Sequence, residues 1–185
     1  MAQKHIIIND DYLALSDEQL LRQCQAEFYK ASGPGGQHRN KVSSAARLRH
    51  QPTGLVGICN DSRSQHDNKR QALQRLRAKI ACCYRRPLDL AKLQLPPAVA
   101  SCLSRPRGGA NEGKLHLQVG RKDVRYWPVV QFLLDLLEAH QGLLAEAAGQ
   151  LGITTSNMVG VLRDEHEAFA AAAEMRKRHG QGPLK

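Results

Sequence analysis

Residues 33–37 read Gly-Pro-Gly-Gly-Gln and run directly into His38-Arg39-Asn40-Lys41. Three glycines within four positions permit backbone conformations and close approaches that a Cβ forbids, while Pro34 takes back part of that freedom. Gly35, Gly36 and Gln37 therefore present main-chain amides at a tip with almost no side chain, beside one carboxamide. Chemistry at such a tip has to come from backbone dipoles and a positioned amide. One preorganised oxyanion donor is worth about 3–4 kcal/mol to an enzyme. Other chemistries are poorly served. The phosphate-cradling spacing G-x-x-x-x-G-K-[ST] is missing, as are G-x-S-x-G and H-E-x-x-H, and no paired carboxylates flank the loop. His38 is near enough in sequence to be a general base, but contact with RNA or packing of the loop suits it better. The bland alternative is a flexible turn between strands, and the run of donors from Gln37 to Lys41 weighs against it.

The flanking sequence supplies elements to hold this loop. Ser16-Asp17-Glu18-Gln19 starts a helix, with a hydroxyl to cap free amides and carboxylates at the positive end, and the helix is expected to run through Leu20, Leu21 and Cys24. Ala26–Tyr29 reads as a short strand entering the loop. Beyond it, 43–50 and 55–59 flank the turn Gln51-Pro52-Thr53-Gly54, a hairpin signal. From Gln65 to about Tyr84, Ala72, Leu73, Leu76 and Ile80 recur at three- and four-residue spacing with Lys69, Arg70, Arg75, Arg77 and Lys79 between them. This basic amphipathic helix can lay its apolar stripe on the preceding sheet. Pro87, Pro96-Pro97 and Arg105–Gly109 mark a connector, with strand-like alternation at Leu115–Val119. Helices follow around Val129–Leu137, at Leu143–Gln150, and from Thr154 or Thr155 to about Ala173 as one or a pair. The expected fold class is α+β: a small sheet with a packed basic helix, followed by an all-helical extension. The expected domains are 1–86, a basic Pro/Gly-rich connector at 87–125, and 126–185.

Charge is distributed unevenly along the 185 residues. The net charge is +10, yet residues 30–86 carry 13 basic and two acidic residues, and residues 87–185 carry 12 and ten. A basic block of that kind suits a phosphate backbone. Aromatic residues are only 4% of the chain, which leaves few platforms for stacking single-stranded bases. Ile6-Ile7-Ile8 is too short for a signal-peptide core, no apolar run approaches the ~20 residues of a spanning helix, and early acids disfavour a transit peptide. Five cysteines without a Cys-x-x-Cys pair point to reduced thiols in a cytoplasm, and neither a metal nor a cofactor is expected.

Residues 32–41, Ser-Gly-Pro-Gly-Gly-Gln-His-Arg-Asn-Lys, resemble the catalytic loop of class I peptide chain release factors and their ribosome-rescue relatives. The order downstream agrees: Ser43-Ser44, the strand Arg47-Leu48-Arg49-His50, Pro52-Thr53-Gly54, then Arg63-Ser64-Gln65-His66 with Asn68-Lys69. The resemblance covers about residues 20–85. It implies hydrolysis of the ester between a nascent peptide and P-site tRNA, with Gly35, Gly36 and Gln37 catalytic. The Gln37 N–H would stabilise the oxyanion or leaving group, and its side chain would favour water over bulkier nucleophiles. His38, Arg39, Asn40, Lys41, Arg47, Arg49, Arg63, Gln65, Asn68 and Lys69 would bind ribosomal RNA of the large subunit. Lys69, Arg70 and Arg77 are expected to strengthen ribosome association together. A glutamine methyltransferase acting on Gln37 is an implied partner; a monomer is expected, and no membrane.

Stop-codon reading in the full-length factors needs a further domain, for which the sequence before the loop has no room. Small rescue factors are closer, although their long basic tail is reduced here to Arg176–Lys185. The expectation is codon-independent peptidyl-tRNA hydrolysis on stalled ribosomes. The alternative is a non-catalytic ribosome- or RNA-binding protein that keeps the release-factor fold. A third reading, a DNA-binding regulator, rests on the helix-turn-helix pattern of Ala147–Val159. Against it stand Asp164, Glu165 and Glu167 beside a single cation, Arg163, and a plain helical hairpin burying Leu151, Ile153, Val159 and Leu162 is preferred.

Overall fold

The computed structural model describes residues 11–30, 43–105 and 113–184. They fall into two compact units, one within Asp10–Ile80 and one within Ala81–Lys185. The class is α+β with an all-helical C-terminal part.

In the first unit, helix α1 (Asp17–Arg22) opens on a capping box. Gln19 N–H donates to Ser16 Oγ and Ser16 N–H to Gln19 Oε1, so two amides at the helix start are satisfied reciprocally. The helix stops two residues short of Cys24, where it was expected to end. Cys24 is drawn instead into strand β1 (Cys24–Tyr29) by pairing opposite His50. Strand β2 (Ala45–His50) lies between β1 and β3 (Val56–Cys59) in an antiparallel sheet. Its alternation decides the two faces. Ala46 and Leu48 are fully buried, whereas Arg47 and Arg49 are exposed.

Helix α2 (Gln65–Cys83) covers the inner face with Ala72, Leu73, Leu76 and Ile80, all buried, each large apolar side chain being worth about 1.5–3 kcal/mol. Its approach to β3 depends on Gly57, where a Cβ would lie 2.1 Å from the Ala72 carbonyl oxygen. Glycine is required there by contact, since backbone cannot yield as a flexible side chain can.

The second unit is built around helix α4 (Tyr126–Ala139), which is buried on nearly every side from Val129 to Leu137. A short helix α3 (Pro97–Ala100) and a two-residue ladder, β4 (Leu103–Ser104) with β5 (His116–Leu117), precede it. Helices α5 (Leu144–Gln150), α6 (Thr155–Arg163) and α7 (His166–Arg178) follow. The segment expected as a connector is fastened to these helices. Leu115 N–H donates to Gly152 O at 2.8 Å, and the Asn157 carboxamide pairs with both backbone groups of Leu117 at 2.8 and 2.9 Å. An asparagine side chain on α6 here takes the place of a neighbouring strand.

Candidate functional site

Gly35, Gly36, Gln37, His38, Arg39, Asn40 and Lys41 lie outside the described residues. The chain re-enters at Ser43 and Ser44, just before β2, and the first unit devotes specific side chains to that point. The β1–β2 ladder ends at Tyr29 opposite Ala45, so neither serine belongs to it. Two carboxamides from the start of α2 take over. Gln65 Nε2 donates to Ser43 O at 3.2 Å, and Asn68 Nδ2 donates to Ser44 O at 2.7 Å.

Asn68 is the centre of this junction and is fully buried. Its Nδ2 also donates to Ser62 O at 2.7 Å, while its Oδ1 accepts from Ser62 N–H at 2.9 Å and faces the Cys59 thiol at 3.4 Å. Both of its donor hydrogens are therefore used, on segments separated by the whole β2–β3 hairpin. The start of α2 is made locally: Asp67 N–H donates to Ser64 Oγ, and Ser64 N–H to Ser62 Oγ. Small hydroxyl residues before the helix free the backbone to turn, and Asp67 suits the positive end. The pattern Arg63-Ser64-Gln65-His66-Asp67-Asn68 thus meets Ser43-Ser44 in space. An expected RNA contact at Asn68 is corrected by this geometry: a side chain with no exposed surface holds protein backbone instead. The contributions of Ser62 and Cys59 carried no sequence signal of their own.

The cations of the first unit divide into two groups. Arg49, Arg63, Lys69 and Arg70 make no side-chain hydrogen bond or ion pair among the described residues. Arg47, half exposed, lies 3.4 Å from Glu27 and sits over the Tyr29 ring, an open pair worth about 0–1 kcal/mol. Further along α2 the cations are committed. Arg75 binds Asp61 at 2.6 Å and Ile58 O at 2.8 Å, and Lys79 binds Val56 O at 2.8 Å. Arg77 binds Asp17 Oδ1 at 2.8 Å and Leu15 O at 2.7 Å, with its side chain only 12% exposed. Arg77, expected with Lys69 and Arg70 as a contact for RNA, is instead a brace between α2 and the start of α1 with the residues just before it. The uncommitted cations at 63–70 sit at the end of α2 that grips Ser43 and Ser44.

His50 shows the same reversal. It closes a strand that reads as basic, yet it is buried, with Nδ1 2.8 Å from Thr53 Oγ1, Nε2 2.9 Å from Gln23 Oε1, and Tyr12 edge-on at 4.7 Å. Burial pushes its pKa below the usual histidine value and favours the neutral ring.

In the second unit, Leu151, Ile153, Val159 and Leu162 are all buried, as a helical hairpin requires, and the turn between α5 and α6 uses Gly152 at φ +67°. Arg163 lies over the Phe169 ring and Asn157 is occupied by Leu117, so α6 has little left with which to read a duplex. Of the connector cations, Arg125 is held by Asp123, whose carboxyl it draws down to about 2, and Arg121 pairs with Glu165 at 2.9 Å. Among the described residues no group of three or more metal-ligating side chains converges, and no helix is long and apolar enough to cross a membrane.

Comparison with known proteins centres on the first unit. Residues 19–93 match the family described as the RF-1 domain. Over 59 residues the chain is 54% identical to peptide chain release factor 2 of Buchnera aphidicola subsp. Baizongia pistaciae, covering 32% of this chain and 16% of that protein. It is 62% identical over 54 residues to peptide chain release factor 1 of Albidiferax ferrireducens, covering 29% and 15%. A longer match, 33% identical over 137 residues, joins it to peptide chain release factor 1 of Novosphingobium aromaticivorans and covers 69% of this chain and 38% of that protein. The chain carries an RF-1 domain, and it spans well under half the length of these relatives.

Proposed function

We propose that this protein hydrolyses the peptidyl-tRNA ester on stalled ribosomes without reading a codon. In this reading the tip Gly35-Gly36-Gln37 enters the site where the ester of P-site tRNA is exposed. Water attacks the ester carbonyl, the Gln37 N–H stabilises the oxyanion or the departing ribose oxygen, and a free peptide acid and a tRNA 3′-hydroxyl result. The glycines serve by leaving room at the tRNA end, and the Gln37 side chain by selecting water. Arg47, Arg49, Arg63 and Lys69, with His38, Arg39, Asn40 and Lys41, bind large-subunit RNA. Residues 1–86 form the catalytic part, 87–125 a connector and 126–185 an extension. The protein acts in the cytoplasm as a monomer, without a metal or cofactor, and Gln37 is a substrate for a glutamine methyltransferase.

The observation that carries this reading is the coincidence at one end of α2. The uncommitted cations Arg63, Lys69 and Arg70 lie beside the two carboxamides that hold the residues following the glycine loop. A polyanion bound there would lie next to the loop's point of departure. The RF-1 domain match over residues 19–93 supports the same assignment.

The test is release of peptide from purified ribosomes bearing peptidyl-tRNA and an empty A site, with messengers cut at several distances past the P site. Wild-type protein should release peptide irrespective of codon. Gly36→Ala and Gln37→Ala should each reduce release by about 10²-fold or more while ribosome binding persists, the size expected when one oxyanion donor is misplaced. Equal release by all three proteins would remove the catalytic assignment and leave a non-catalytic RNA-binding protein.

A further inference from the structure

We infer that Asn68 and Gln65 are positioning residues for the hydrolytic step: the two carboxamides fix the chain at Ser43 and Ser44 and so set where the glycine tip is aimed. The inference rests on the reading that the loop is catalytic, and it assigns these residues a task different from binding RNA.

Three observations lead to it. The β-ladder that organises the sheet ends at Ala45, so backbone pairing does not extend to Ser44 or Ser43. Side chains from α2 continue the fixation for two further residues, through Asn68 to Ser44 O at 2.7 Å and through Gln65 to Ser43 O at 3.2 Å. Asn68 is itself rigidly held, because Ser62 N–H donates to its oxygen and Ser62 O accepts from its nitrogen. A buried carboxamide is costly unless satisfied, and this one is satisfied by joining two separate segments of chain. Only an amide fits both roles. A carboxylate at position 68 would still accept from Ser62 N–H but would set an oxygen against the carbonyls of Ser44 and Ser62.

The mechanical consequence is large because Ser43 lies only six residues after Gln37. Displacing a catalytic group by about 1 Å can cost about 10²-fold in rate even when the altered residue is remote from the chemistry. A fault at the base of the loop should therefore appear in the rate of the bound complex and leave its affinity alone.

The experiment is single-turnover peptide release at a series of factor concentrations, which separates the maximal rate from the half-saturating concentration, alongside thermal unfolding of each variant. Asn68→Asp should lower the maximal rate by about 10- to 100-fold, and Gln65→Ala, at an exposed position that folding tolerates, by about 3- to 10-fold. The half-saturating concentration should stay within about threefold of wild type. Arg77→Gln serves as the stability control, since its bonds go to Asp17, Leu13 and Leu15. It should lower the unfolding temperature and leave the maximal rate unchanged.

Wild-type maximal rates in both carboxamide variants, with Gln37→Ala inactive, would overturn this inference and leave the proposed function intact. A change confined to the half-saturating concentration would also overturn it, since Gln65 would then be binding RNA. Loss of rate in Arg77→Gln in proportion to its loss of stability would reduce Asn68 to a structural residue. Inactive wild-type protein would remove the proposed function itself, and the inference with it.

Discussion

In the first unit Arg49, Arg63, Lys69 and Arg70 make no side-chain ion pair or hydrogen bond among the described residues. In the second unit five arginines are bound to acids of the same unit, while Arg163 lies over a ring and Arg176 binds backbone carbonyls. Arg85 and Arg86 both reach Asp135, at 3.0 Å each, Arg178 and His179 share Glu138, and Arg121 and Arg125 hold Glu165 and Asp123. Among the described residues Lys92, Arg105, Lys114, Lys122 and Lys177 stay open in the second unit, but they belong to a stretch with 12 basic residues against ten acidic ones. Formal charge alone would rank the two stretches by number. The bonding pattern adds position: Arg63, Lys69 and Arg70 lie close together at one end of α2, in a stretch with 13 basic and two acidic residues, and a polyanion responds to such a local excess.

The most damaging way to probe this contrast is Asp135→Ala. The carboxylate is wholly buried, and Arg85 beside it is 7% exposed, so removing Asp135 strands a guanidinium without its counter-charge. Burial pushes the Asp135 carboxyl up, and the two guanidiniums pull it back toward ionisation. The variant should be destabilised by about 3–5 kcal/mol in urea unfolding, the cost of breaking a buried pair from one side. The slope of ribosome affinity against salt, measured where the variant is still folded, should match wild type. A shallower slope would mean that charge in the second unit also meets the polyanion.

A smaller effect, with the opposite signature, is expected in the first unit. Replacing Arg49, Lys69 and Arg70 together by glutamine should weaken ribosome binding at least tenfold and reduce the salt slope by about 2–3, roughly one for each phosphate no longer neutralised. Unfolding should barely change. Replacing Arg75, Arg77 and Lys79 should do the reverse, lowering stability by removing the bonds to Asp61, Asp17 and the backbone while keeping the slope. If both triple variants behave alike, the division between open and committed cations along α2 has no functional meaning.

The sequence showed well what depends on neighbours in the chain and poorly what depends on distant partners. The turn at Gln51-Pro52-Thr53-Gly54 marked the β2–β3 hairpin, and the spacing of Leu73, Leu76 and Ile80 gave α2 its buried stripe. α1 ends before Cys24 because Cys24 pairs with His50 in the sheet, and such a distant partner leaves no local pattern in the sequence. At the candidate site the types of Asn68, Arg77 and His50 all suggested surface. Each is taken inward by partners 24 to 64 positions away, such as Ser44, Leu13 and Gln23. Polar side chains with several donors lend themselves to such use, since they can satisfy backbone groups that no strand or helix reaches. The glycine loop was legible as a motif, but its residues 33–41 lie outside those described.

His50 gives the mildest test of the same contrast, because it is a committed group inside the unit with the open cations. Its folded pKa lies below the unfolded value near 6.5, with burial as the cause. As pH falls through 6.5 the unfolded chain takes up a proton that the folded chain declines, so stability is lost on the acid side and is fully present above it. His50→Asn removes the titration together with the bonds to Thr53 and Gln23. Wild type should therefore exceed the variant most clearly in urea unfolding at pH 7.5, and the gap should narrow at pH 5.5 by at most one proton's worth of slope. The seven other histidines cancel in that difference. A gap that widens in acid would mean that the ring is held charged, which would add a cation to the first unit and redraw the line between its open and committed groups.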